Sequence, residues 1–339
     1  MNKKIFILII LASVFLSCSD SEKSDFIGVT IYRTDDEFAN SLKNNIVKFI
    51  SGKARYVIND SENVQRIQNE QIDDFISKGV KVLVINLVDP QAAENIINKA
   101  KENDIPLILF NKSPYSFDIM NTYNKVWYVG TISEEAAYWQ GKIISESWQA
   151  NPSWDKNGDG KIQCVILKGE PGHIEAEIRT ENLILFLNQN GIETEILDSK
   201  TGMWNMDKAK AITDSWMSDY NNEDDSDTKI EYIFSNNDAM TLGALKSIQE
   251  FGYNIGNPDK YIPIVGIDGS QSVISEIKKG SIVGTVLNDA EEQAEAVSDL
   301  AVNLFKGVEN PILGTSWKLD DTKSIKINYR PITMDNIDE

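Results

Sequence analysis

Strand-like and helix-like segments alternate along this chain in two successive series, and no other feature limits its fold as much. Ile27-Gly28-Val29-Thr30-Ile31-Tyr32 reads as a strand, and 37–50 has helical periodicity. Residues 54–58 read as a strand, 64–77 as a helix, 80–86 as a buried strand, 92–103 as a helix and 106–110 as a strand. That is βαβαβαβ, the order of a parallel sheet with helices on both faces. A second series places strands at 163–167, 193–197, 230–235, 262–267 and 283–287, with helical segments between them. The expected architecture is therefore α/β, two Rossmann-like lobes whose right-handed crossovers gather the strand C-termini on one edge of each sheet.

Polar residues mark those strand ends in both series: Asp35-Asp36, Asn86 and Asn111, then Glu170, Asn236-Asn237-Asp238, Asp268 and Asn288-Asp289. Asn86 and Asp60 are accounted for by capping, but the whole set exceeds what capping needs. Two lobes with facing strand ends would enclose a polar cleft. The acidic stretch 221–227 lacks a glycine turn and reads as a solvated surface loop.

The N-terminus has the order of an export signal over 1–17. Lys3 and Lys4 precede an apolar run, 5–16, too short to span a bilayer, and small Ser17 stands before Cys18. Phe15-Leu16-Ser17-Cys18 resembles a lipobox, in which Cys18 would be lipidated and 18–25 would tether the body to the membrane. Phe15 stands where an aliphatic residue is usual, so plain secretion is the alternative. The other cysteine, Cys164, lies in a strand-like apolar run and reads as a core residue; with Cys18 acylated, no internal disulfide can form. The formal charge of −19, from 33 basic and 52 acidic residues, argues against a nucleic-acid partner. Beyond the signal about 320 residues remain, enough for two domains.

Asp155-Lys156-Asn157-Gly158-Asp159-Gly160-Lys161-Ile162-Gln163 sets oxygen-bearing side chains at alternate positions around a glycine turn, a pattern suited to Ca²⁺. It opens like an EF-hand loop, but Ile166 occupies the twelfth position, and Cys164-Val165-Ile166-Leu167 continues as a strand rather than a helix. A calcium loop ending in a strand would need a carboxylate from elsewhere.

Several segments closely resemble the bacterial D-galactose/D-glucose-binding proteins. They are Gly28-Val29-Thr30-Ile31-Tyr32, Ile85-Asn86-Leu87-Val88-Asp89-Pro90, Phe110-Asn111-Lys112, Leu167-Lys168-Gly169-Glu170-Pro171-Gly172-His173, Asn236-Asn237-Asp238-Ala239-Met240 and Gly284-Thr285-Val286-Leu287-Asn288-Asp289-Ala290. The resemblance runs from 26 to 331. It implies a type I periplasmic binding protein fold, with 26–112 and 289–325 in one lobe, 131–288 and 326–339 in the other, and 113–130 as the first of three crossovers. It implies binding of a hexose and delivery to the permease of an ABC importer and, in some bacteria, to a chemoreceptor. The protein would be a monomer, exported, and in contact with the membrane only through a lipid on Cys18.

The resemblance also implies residue roles. Asp155, Asn157, Asp159 and Gln163 would bind Ca²⁺ through side chains and Lys161 through its carbonyl, with Glu231 as the remote bidentate ligand. Read alone, Glu231 would be an edge-strand charge facing water. Phe38 and Trp204 would stack on the C–H faces of a pyranose, while Asp36, Asn111, His173, Arg179, Asn237, Asp268 and Asn288 take its hydroxyls. By itself Phe38 would more often be core; Trp204, before a helix in Gly202-Met203-Trp204-Asn205, is less easily buried. Asp36 would lie near the sugar 4-hydroxyl and accept either epimer. The family has Asp two residues after the histidine, where this chain has Glu175, so an altered sugar preference or another monosaccharide is expected there. Ser113, for the family's Glu, is a smaller departure.

An enzyme is the rival class, since Asp36 and Asp268 could form an acid/base pair. No phosphate loop, dinucleotide fingerprint or serine nucleophile elbow supports it. A binding protein that closes its lobes on the ligand is the expectation, hinged near 112–131, 289–293 and 324–329.

Overall fold

The computed structural model describes residues 25–220 and 229–337. The export signal, Cys18, all but Asp25 of the expected tether, and the acidic loop 221–227 fall outside the described residues.

Two six-stranded sheets organise the molecule. The first takes β1 (Ile27–Ile31), β2 (Tyr56–Asp60), β3 (Val82–Asn86), β4 (Leu107–Phe110), β5 (Val126–Thr131) and β11 (Ser324–Ile327), in the order β11-β5-β4-β3-β1-β2 with every pair parallel. The second takes β6 (Ile162–Lys168), β7 (Thr194–Thr201), β8 (Tyr232–Ser235), β9 (Ile264–Val265), β10 (Gly284–Leu287) and β12 (Arg330–Thr333), in the order β12-β10-β9-β8-β6-β7. Only β12 runs antiparallel, against β10.

The central strands are apolar runs because both of their faces are covered. In the first lobe α1 (Glu37–Ile50) and α9 (Ala290–Phe305) pack Leu42, Ile46, Val297 and Leu300 against one face. The opposite face is closed by α2 (Gln65–Ser77) and α3 (Ala93–Glu102), through Ile72, Phe75, Ile96 and Ile97. In the second lobe α6 (Met206–Asp219), α7 (Asp238–Glu250) and α8 (Gln271–Lys278) bring Trp216, Met240, Ala244 and Val273 to one face. Ile143, Ile144, Leu183 and Leu187 from α4 (Ser133–Ala150) and α5 (Ile174–Gln189) cover the other. Cys164 is free and buried in that second core.

The chain passes between lobes three times: from β5 to α4, from β10 to α9, and from β11 to β12. Three local differences from the sequence expectation have physical causes. The strand expected at 54–58 begins at Tyr56, because Lys53 and Ala54 still donate to the Ile50 carbonyl at 2.9 and 3.3 Å as α1 ends. The strand expected at 262–267 shrinks to Ile264–Val265. Pro263 has no N–H to give, and at Gly266 a Cβ would lie 2.3 Å from Asp238 Oδ1. Within 113–130, β5 is a buried strand of the first sheet, not only a connection.

Candidate functional site

Every parallel crossover returns the chain to the same sheet edge, so the strand C-termini carry the site. Beyond β1, Asp36 caps α1 by accepting from Ala39 N at 2.8 Å, which points the first turn's Phe38 into the cleft. Beyond β4, Asn111 takes a left-handed φ of 60°, its N–H donating to the Val129 carbonyl at 2.9 Å and its carbonyl accepting from Tyr128 Oη at 2.7 Å. Beyond β6, His173 stands at the N-cap of α5, followed by Glu175 and Arg179 on its first turns. Beyond β7, Met203 and Trp204 both have left-handed φ, 57° and 60°. Asn237 caps α7 by accepting from Met240 N at 3.0 Å. Asp268 has φ 137°, and its N–H donates to the Val286 carbonyl at 2.8 Å. Asn288 accepts from Gln293 Nε2 at 2.7 Å. Left-handed backbone at Trp and Asp is strained conformation of the kind that clusters in binding clefts.

One cavity between the lobes is lined by Asp36, Phe38, Asn111, His173, Glu175, Arg179, Trp204, Asn237, Asp268 and Asn288, the ten residues expected from the sequence. Tyr32 and Lys112 line it as well, and sequence reasoning missed both. The available signal was position, since Tyr32 follows directly on β1 and Lys112 lies two residues beyond β4.

The cavity is polar. Arg179, buried, donates to the Asn236 carbonyl at 2.7 Å and to Tyr329 Oη at 3.0 Å, and its guanidinium lies 5.8 Å from the Trp204 ring centre. His173 meets the same ring edge-on at 5.1 Å. Burial, reinforced by Lys112, Arg179 and Arg33, holds the His173 imidazole well below its usual range, so it is neutral. Burial raises the Asp268 carboxyl well above the ordinary carboxylate range, against the pull of Arg179. Burial also raises Glu175, again opposed by Arg179. Lys112, 5 % exposed and 3.9 Å from the Tyr32 ring centre, is pushed down to about 8 by burial. Three buried atoms on this wall, His173 Nδ1, Glu175 Oε2 and Arg179 Nε, have no hydrogen-bond partner among the described residues. Unpaired buried polar atoms each cost about 1–3 kcal/mol, which a hydroxyl-bearing ligand would recover.

The calcium expectation is corrected. Among the described residues no group of three or more His, Cys, Asp or Glu side chains is placed to hold a metal ion. The loop oxygens instead serve the loop's own donors. Asp155 accepts from Gly158 N at 2.7 Å and Gly160 N at 3.0 Å, and Asn157 from Asp159 N at 3.0 Å. Asp159 accepts from Lys161 N at 2.8 Å and from Gln163 Nε2 at 2.9 Å. Glu231, buried rather than water-facing, accepts from Lys156 N, and from Gln163 N at 3.1 Å. Burial raises its carboxyl, and Lys156 Nζ donates to the adjacent Ile230 carbonyl at 2.7 Å. The Asx-type turns that look like a cation loop in sequence close the loop by hydrogen bonds alone.

Comparison with known proteins agrees with this architecture. The family model described as a periplasmic binding protein domain matches residues 27–309. The D-galactose/methyl-galactoside binding periplasmic protein MglB of Haemophilus influenzae is 45% identical over 313 residues, covering 92% of this chain and 90% of its own. A putative rhizopine-binding protein of Rhizobium meliloti is 26% identical over 310 residues, covering 90% and 91%. Among solved structures, an ABC transporter solute binding protein from Bacillus halodurans with bound myo-inositol superposes with a TM-score of 0.74 at 23% identity, covering 94% of this chain and 97% of its own. One from Actinobacillus succinogenes with bound D-allose gives 0.75 at 18%, covering 93% and 99%. Those two likenesses speak to the fold, whereas the family model and the Haemophilus relative each span most of the chain. It belongs to the periplasmic binding protein family, whose members bind solutes without transforming them.

Proposed function

We infer that this protein binds a monosaccharide of the D-glucose/D-galactose type outside the cytoplasm and presents it to the permease of an ABC importer. The observation that carries this reading is the shared cavity: twelve residues from both lobes, three aromatic and nine polar or charged, face one space. Such a lining suits a pyranose, with apolar C–H faces for Phe38 and Trp204 and a hydroxyl belt for the amides and charges. Hydrogen bonds to charged partners contribute about 1.5–3 kcal/mol each, and an analogue lacking a hydroxyl leaves such a partner unpaired. The 45% identity to a galactose-binding relative supports the choice of sugar.

Sugar bound on one lobe would recruit ligands from the other and stabilise the closed form that the permease reads. The hinge would lie where the chain crosses between sheets, after β5, β10 and β11. Anchoring through a lipid on Cys18 and signalling through a chemoreceptor are finer readings: the first rests on the Leu16-Ser17-Cys18 motif, the second on the family resemblance. Mass spectrometry of the membrane-extracted protein would find a diacylglyceryl N-terminus at Cys18, or a free cleaved terminus if the chain is secreted.

Calorimetric titration of the mature chain with D-glucose, D-galactose, D-xylose and D-ribose tests the central reading. The expected result is tight binding of the two hexoses and binding of the pentoses weaker by about tenfold or more. A chain that binds no hexose, or prefers a pentose, overturns it.

A further inference from the structure

Arg33 lies outside the cavity lining, yet it touches both lobes. It follows β1 by two residues, and its Nη1 donates to Glu170 Oε1 across the cleft at 2.9 Å. Its Nη2 donates to the Met203 carbonyl at 3.4 Å and stands 3.6 Å from Asp36 Oδ2, while Nε lies 3.4 Å from Asp35 Oδ1. Asn63, also from the first lobe, donates to the same Glu170 oxygen at 3.3 Å. The two charged side chains are 16% and 12% exposed, so this pair is largely withdrawn from water, unlike the solvated ion pairs elsewhere on the surface.

Each contact adjoins a residue of the cavity wall. Met203 precedes Trp204, Glu170 follows the Gly169 against which Trp204 packs, and Asp36 is itself in the wall. We propose that Arg33 is a positioning residue for ligand retention: in the closed form its guanidinium ties Asp36 to the Trp204 loop and Glu170, setting the lobe spacing around the bound sugar. Parting the lobes would expose Arg33 and Glu170 to water, so the contact exists only in the closed form. Its loss therefore accelerates ligand escape and leaves the folding of either lobe unchanged.

This rests on the sugar-binding reading, and the test separates the two. In the full mature chain, Arg33→Ala, Arg33→Lys, Glu170→Gln and the Arg33→Ala/Glu170→Gln double variant are compared by stopped-flow tryptophan fluorescence with D-glucose. Paired spin labels, one per lobe, report lobe separation with and without sugar. Truncating one partner of a buried charge pair acts mainly on dissociation, so Arg33→Ala should raise koff by about tenfold or more and leave kon within about threefold. Glu170→Gln should do the same, the double variant should be no worse than the more severe single, and Arg33→Lys should recover part of the loss. The thermal midpoint of the sugar-free protein should not move. Unchanged koff, additive singles, or an affinity loss that tracks a fallen midpoint would overturn the proposal. If the parent chain bound no sugar, the function reading would fail, and the spin labels would still decide this one: the minor closed population that the sugar-free lobes sample must shrink in Arg33→Ala, and an unchanged short-distance fraction refutes it.

Discussion

A methyl group added at position 169 would collide with the cavity's tryptophan. A Cβ there would lie 2.1 Å from Trp204 Cζ2, and Trp204 is already held in a left-handed conformation with little freedom to retreat. Overpacking of this kind costs about 1–3 kcal/mol. Gly169→Ala should therefore weaken hexose binding by about tenfold to a hundredfold, measured by calorimetry. An unchanged affinity would mean that Trp204 does not contact the ligand. Glu175 is the complementary case. Its Oε2 is buried without a partner, its carboxyl is raised by burial, and Arg179 is the strongest opposing influence. Glu175→Asp withdraws the carboxylate by about 1.5 Å, more than a hydrogen bond tolerates. The expected outcome is a shift of about tenfold in affinity or in the glucose-to-galactose ratio, and equal affinities before and after would remove Glu175 from the ligand's contacts. Most of the ten lining residues could be proposed from sequence because a strand end or the first turns of the following helix carries a family motif. Phe38, core-like by itself, and Glu175, a departure from the motif, rested on the resemblance alone. Tyr32 and Arg33 were not, since a tyrosine closing an apolar strand reads as core and an arginine beside two aspartates reads as a solvated ion pair.

The elements themselves were legible wherever apolar periodicity was long. The helices over 37–50 and 65–77 and the buried strands at 82–86 and 107–110 sit within a few residues of their expected limits. What the pattern could not reveal was sheet membership. Val126–Thr131 looks like a connection because it leads out of the lobe, and only pairing with β4 and β11 makes it a strand of the first sheet. Nor could spacing distinguish a cation loop from one closed by its own N–H groups, since both place Asp and Asn at alternate positions around glycines. Helix contact is another property invisible in sequence. The α6–α7 crossing depends on Gly243, where a Cβ would lie 2.2 Å from the Met206 carbonyl oxygen and 3.0 Å from Lys210 N. Those are backbone atoms of the neighbouring helix and cannot rotate away. Gly243→Ala should lower the stability of the second lobe by about 1–3 kcal/mol, visible as a lower denaturant midpoint. A neutral result would show that the helices slide apart at no cost.

At the scale of the whole molecule, each lobe desolvates a lysine near its functional edge or its loop: buried Lys112 in the first and half-buried Lys156 in the second, both pushed down to about 8 by desolvation. The unfolded chain holds these protons up to about 10.4, whereas the folded chain releases them near 8. Between those values the unfolded state binds more protons, so stability rises with pH across the window. Below it both states are charged, and the burial cost is paid in full. The full change for Lys112 alone is about 2–4 kcal/mol. Opposition comes later: burial raises the Cys164 thiol, which resists from about pH 8.5, where an unfolded thiol ionises. Tyr123 and Tyr261, raised to about 12, resist only above about 10. Lys210, whose exposed ammonium is raised by Glu250 and Asp214, loses its contribution above its ordinary value and so outside the window. Calorimetric melting of the sugar-free protein should therefore show a midpoint that climbs by a few degrees from about pH 8 to about pH 9.5 and falls beyond about pH 10. Lys112→Met should start from a higher midpoint at pH 7.5 and lose more than half of the climb, because the Cys164 thiol offsets much of the remaining Lys156 share. A parent midpoint that stays flat or falls from pH 8 to pH 9.5 would mean that at most one of the two lysines is desolvated in the folded chain.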